Sequence, residues 1–133
     1  MISKNDMFEP MLAACPTFLP AWRAFLEQWK DSKDGLPYYL ALGDLARHLV
    51  EQLDAGATKQ FEAVFSVVER WHCEGDHYVK EAATIGLLED IQNIAAHCGV
   101  DPMRFECWLK PETKHWWDKL NRFWAGEDIR SDN

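Results

Sequence analysis

The stretch from Tyr78 to His97 constrains the fold more than any other. Its apolar residues are Tyr78, Val79, Ala82, Ala83, Ile85, Leu87, Leu88, Ile91, Ile94, Ala95 and Ala96. Stepped at about 100° per residue, they wrap most of a helix circumference. Only Lys80, Glu81, Glu89, Asp90, Gln92 and Asn93 are left to form a polar edge. A surface helix carries a single apolar stripe, so this pattern predicts a central core helix with others packed around it. Gly86 falls in its middle, where glycine costs about 1 kcal/mol relative to alanine. It is best tolerated there if a neighbouring helix comes close.

The rest of the chain supplies those neighbours. Met7 to Cys15 reads as a short helix closed by Pro16. Pro20 suits a first helical turn, and Ala21 to Lys30 follows with Trp22, Phe25, Leu26 and Trp29 on one face. After the turn Asp31 to Gly35, Pro37 opens a helix to about Leu53, striped by Leu42, Leu45, Leu49 and Leu53; Gly56 fits the left-handed position beyond its end. Thr58 to His72 carries Phe61, Val64, Phe65, Val68 and Trp71, and Glu74-Gly75-Asp76 breaks the chain before the central helix. Beyond Cys98-Gly99, Asp101-Pro102 caps a short helix through Leu109. Pro111-Glu112 opens a last helix with Trp116, Trp117, Leu120, Phe123 and Trp124, which Gly126 ends.

No segment alternates as a strand does. The expectation is an all-α single domain of about seven helices over residues 1–126, with a polar tail at 127–133. Gly35-x-x-Tyr38 and Gly75-x-x-Tyr78 match at an offset of 40, a period found in stacked HEAT-like helical hairpins.

Charge narrows the range of partners. Fourteen basic residues against 22 acidic ones give a formal charge of −8. That argues against nucleic acid or an anionic membrane as a direct ligand and suits a basic protein partner. Seven tryptophans and seven phenylalanines are many for this size, and most of the tryptophans are expected as large core or inter-helix plugs. Cys15, Cys73, Cys98 and Cys107 form no C-x-x-C pair. Met1 to Asp6 lacks the apolar segment of a signal peptide, and no apolar run approaches the roughly 20 residues of a membrane span. Free thiols and a cytoplasmic location follow.

The densest polar cluster is His72-Cys73-Glu74-Gly75-Asp76-His77. Its side chain types can ligate metal, but consecutive residues in a turn do not converge, and no H-E-x-x-H or C-x-x-C spacing accompanies them. His97-Cys98 lies about 30 Å away along the central helix. Cys73 beside His72 points about 100° away from it, which makes a core thiol the expected role rather than a nucleophile. No glycine-rich phosphate loop is present. Neither a metal, a cofactor nor an enzymatic activity is therefore expected. The carboxylates are the remaining candidates: Glu74, Asp76 and Glu81 around the break, then Glu89 and Asp90, with Asn93 beside them on the polar edge. Together they suggest an acidic docking patch for a cationic partner. Glu89, Gln92 and Asn93 share one helix face and could equally bond loop backbone.

The run Glu81-Ala82-Ala83-Thr84-Ile85-Gly86-Leu87-Leu88-Glu89, followed by Gln92-Asn93, resembles the signature of a family of small bacterial helical proteins. Trp116-Trp117 with Leu120-Asn121-x-Phe123-Trp124 is similar to that family's aromatic C-terminal helix, so the likeness covers roughly residues 35 to 125. Members resemble immunity proteins of bacterial toxin systems, including contact-dependent growth inhibition. The resemblance implies a helical fold and a small cytoplasmic protein that occludes the active site of a cognate toxin domain, here expected to be a basic nuclease. It supplies no catalytic residues. The alternative is a non-enzymatic helical scaffold or adaptor with a host protein partner.

Overall fold

Prolines and glycines divide the chain close to where the sequence places them. The structure, a computed structural model, describes residues 1–126, and the expected polar tail at 127–133 lies outside the described residues. Helix α1 (Phe8–Ala14) leads into a 3-10 turn, Pro16–Phe18, which continues directly into α2 (Leu19–Trp29). Helix α2 therefore starts ahead of the expected Ala21. Helix α3 is Tyr38–Asp54. Helix α4 (Phe61–Glu74) starts later than the expected Thr58, because the Phe61 N–H donates to the Thr58 carbonyl in a turn (3.1 Å). Next come α5 (His77–Glu81), a π-helical segment Ala82–Leu88, and α6 (Glu89–His97). The backbone stays right-handed helical at both junctions, so these three form one continuous rod. A 3-10 segment, Pro102–Trp108, precedes α7 (Pro111–Trp124). Among the described residues there is no strand, and seven α-helices form one compact all-α domain.

The rod is central, as its pattern requires. Helix α3 lies along both its π segment and α6, burying Leu42, Leu45, Ala46 and Leu49 completely. A Cβ on Gly86 would stand 2.8 Å from Leu42 Cδ1 and 3.3 Å from Tyr39 Cδ1, so glycine is what lets α3 come this close. Helix α4 packs its Phe61 ring against Phe105, stacked at 5.7 Å between centroids.

One expectation is corrected. The rod is not enclosed on all sides: Ile85 is 44% exposed and Ala96 is exposed. A π turn carries an extra residue, which slips the phase of the apolar pattern and rotates Ile85 outward. Most tryptophans are in the core or packed against it between helices, as expected. Trp71 and Trp117 are fully buried, Trp22, Trp29, Trp108 and Trp116 are half-buried, and Trp124 is exposed. A side chain this large at the edge of an amphipathic stripe covers the core without filling it. The two glycines of the apparent repeat adopt different backbone conformations, with φ +80° at Gly35 and −72° at Gly75.

Gly75 is needed for space rather than for handedness. A Cβ there would collide with the Trp71 carbonyl and stand 2.6 Å from Val79 Cγ1. The start of the chain secures this break between α4 and α5. Ile2 donates to the Glu74 carbonyl (2.8 Å) and accepts from the Asp76 N–H (2.9 Å). No helix among the described residues is long and apolar enough to cross a membrane.

Candidate functional site

The break at Gly75 folds the rod back across the end of α4, and the first turn of α7 closes a third side. Where the three meet, His72 of α4 is 5% exposed. Its Nδ1 lies 3.1 Å from the Val68 carbonyl and 3.0 Å from Thr113 Oγ1 of α7, and its Nε2 lies 3.0 Å from Thr84 Oγ1 of the π segment. A carbonyl can only accept, so Nδ1 carries the proton and Nε2 accepts from the Thr84 hydroxyl. The Thr113 hydroxyl donates to Glu69 Oε1 (2.8 Å), leaving its lone pair for His72 Nδ1–H. Glu69 also accepts the backbone N–H groups of Glu112 (3.0 Å) and Thr113 (2.9 Å). These are first-turn donors that α7 cannot satisfy internally, so Glu69 caps α7 from α4.

The ionisation states follow from this arrangement. Burial pushes the His72 imidazole below its ordinary pKa, against the opposing pull of the Val68 bond, Glu69 and Glu112. Burial works against charge on Glu69, but its bonds from Thr113, Glu112 and the Thr113 hydroxyl outweigh it, and its carboxyl is held below the usual range. The result is a hydroxyl–imidazole–hydroxyl–carboxylate chain across three helices. It differs from a nucleophilic relay in two ways: Thr113 separates the imidazole from the carboxylate, and Thr84 sits inside a helix whose N–H groups serve that helix rather than a developing oxyanion. What the chain does is lock the helices together.

A groove of about 430 Å³ opens above this lock. His72 and Thr84 form its floor, Ile85 and Trp116 its apolar sides, and His77, Lys80, Glu81 and Glu112 its rim. Trp116 is fixed in place: its Nε1–H donates to Glu112 Oε1 (3.2 Å), and the Lys119 ammonium lies 4.9 Å from its ring centroid.

Of the acidic patch expected from the sequence, only Glu81 reaches the groove, paired at 3.2 Å with the exposed His77. Glu74 pairs with Arg70 (3.2 Å) on the solvent side of α4. The Asp76 carboxylate accepts the Val79 N–H (2.9 Å) and so serves as the N-cap of α5. Glu89, Asp90 and Asn93 are half-buried and do not line the groove. Asp90 lies towards α3, its Oδ2 3.3 Å from where a Cβ of Gly43 would be, and burial, then Glu89, pushes its carboxyl up. Gln92 is buried and joins α6 to α7. It accepts from Trp124 Nε1 (2.9 Å) and donates to the Trp117 carbonyl (3.4 Å).

The His72 to His77 cluster points in several directions. His72 faces inward and His77 outward. Cys73 is an exposed thiol 3.9 Å from Glu69 Oε2 rather than the expected core thiol, because the inward face of α4 is already taken by Trp71 and His72. No three His, Cys, Asp or Glu among the described residues are placed to hold a metal ion.

Glu69, Thr84, Thr113 and Glu112 were not singled out by their sequence pattern. Thr84 did carry a signal, as the one hydroxyl in the apolar run from Ala82 to Leu88, where it needs a partner. A family model spans residues 8–125 of the chain. The chain belongs to that family, a domain of unknown function, DUF7674. The DUF7674 match takes in all three helices of the His72 lock and every side chain lining the groove. No curated protein and no solved structure matches the chain.

Proposed function

We propose that this DUF7674 protein is a cytoplasmic immunity protein that binds a cognate toxin domain, a basic nuclease, and occludes its active site without any catalysis of its own. The observation that carries the proposal is the groove between Ile85 and Trp116. It is apolar along its sides, edged by Glu81 and Glu112, and set on a floor locked by His72. A preformed apolar depression with charged edges is how a small protein presents a binding hot spot without ordering cost. The overall charge of −8 adds long-range attraction for a basic partner. The run Glu81 to Glu89, which resembles the signature of a family whose members resemble immunity proteins, supplies Glu81, Thr84 and Ile85 to this groove.

The test is co-expression with toxin domains encoded directly beside the gene. Wild-type protein is expected to restore growth against one of them. Ile85→Arg is expected to lose protection while keeping a native circular dichroism spectrum, since Ile85 is 44% exposed and its replacement costs the core little. Protection that survives Ile85→Arg would remove the groove from the binding face. The absence of any neutralised neighbour would leave the adaptor reading in its place.

A further inference from the structure

We infer that the groove receives one cationic side chain with a long aliphatic stem, an arginine or lysine of the partner. The inference rests on the immunity reading only for the partner's identity. A depression of about 430 Å³ is of the size that takes a side chain or small ligand, not a whole helix. Its sides, Ile85 and the Trp116 ring, suit methylene groups, because arginine and lysine lay their stems along apolar surface while the charged head stays near polar groups.

Charge then decides the tip. Two carboxylates, Glu81 and Glu112, share the rim with one lysine, Lys80, and with His77, which lies 3.2 Å from Glu81. The Trp116 Nε1–H donates to Glu112, which holds that carboxylate beside the apolar side of the groove. An anionic tip would be repelled here. An apolar tip would leave the carboxylates unused.

The experiment titrates the full chain with N-acetylarginine amide and, separately, with N-acetylnorleucine amide, following the Trp116 indole N–H and the Thr84 and Ile85 amides by NMR. The arginine probe is expected to shift these signals saturably. Glu81→Gln combined with Glu112→Gln is expected to weaken it by about fivefold, the scale of exposed charge pairing. Both residues are exposed, and glutamine at 112 can still accept from Trp116, so the fold is kept. Norleucine binding as tightly as arginine, an unchanged affinity in the double variant, or no saturable shift with the arginine probe would each overturn the inference. If the arginine probe fails while Ile85→Arg still abolishes protection, only the cationic anchor is wrong. If it binds and no toxin is neutralised, the immunity reading fails and the groove's chemistry stands.

Discussion

At the scale of single residues, His72 is the most consequential side chain, and its effect is readable as a pH dependence. In the unfolded chain its imidazole titrates near the ordinary histidine value of about 6.5; in the folded protein burial lowers it. Between the two values the unfolded state binds more protons, so folding stability must fall as pH drops below about 6.5 and level off below the folded value. His48, also lowered by burial, acts in the same direction. Glu69 acts only at lower pH, since its folded pKa lies below 4.5 and its contribution is lost as pH falls through that range. His72→Gln should therefore lower stability at pH 8 by about 1–3 kcal/mol, through weakened bonds to Thr84 and Thr113. It should also show a shallower loss from pH 7 to 5 than the wild type, measured by denaturant titration at each pH. Identical slopes in the two proteins would mean that His72 does not titrate differently on folding. Sequence showed His72 only as part of a polar cluster. Its partners lie 12 and 41 positions away, and spacing within one helix cannot reveal a contact between three.

At the scale of elements, the rod from His77 to His97 and its approach to α3 set the packing. Gly86 makes a differential prediction. Gly86→Ala adds a Cβ 2.8 Å from Leu42 Cδ1, the mobile end of a flexible side chain, and gains about 1 kcal/mol of helix propensity, so the two effects should nearly cancel. Gly86→Leu has no such relief and should destabilise by about 1–3 kcal/mol through overpacking. Chemical denaturation distinguishes the pair, and a leucine cost below about 0.5 kcal/mol, the scale of a surface change, would contradict the close approach. This contact was legible in the sequence because a mid-helix glycine in an apolar run has few other uses. The helices and their glycine and proline boundaries were equally legible, since the period of the apolar residues is a local property. The π segment was not. A run that is apolar on nearly every side hides a shift of phase, so nothing in it marked Ile85 as the residue turned outward. The Asp76 cap was hidden for a different reason: a carboxylate at a helix start reads equally well as docking charge or as structure, and only its 2.9 Å bond from the Val79 N–H shows the cap.

At the scale of the whole molecule, charge and groove should make separable contributions if the protein binds a basic toxin as proposed. A formal charge of −8 attracts a basic toxin from any side, whereas Glu81 and Glu112 act at one place. Reversing both to lysine changes the charge by two units each, from −8 to about −4. A control reversing Glu27 and Glu51 changes it equally but leaves the groove alone, since neither lines it. Asp76 is unsuitable for either variant, because losing the α5 cap would cost about 1 kcal/mol of stability and confuse the result. Screening over about 8 Å at physiological salt weakens both kinds of attraction, so association with the cognate toxin should slow as salt rises. Rim charges near the contact govern the association rate more than distant ones do. The groove variant should therefore lose most of the salt dependence of the association rate, and the control only part of it, in stopped-flow measurements across a salt series. Equal losses would show that net charge alone steers the encounter, and the groove would then have to contribute through its apolar sides, in the dissociation rate.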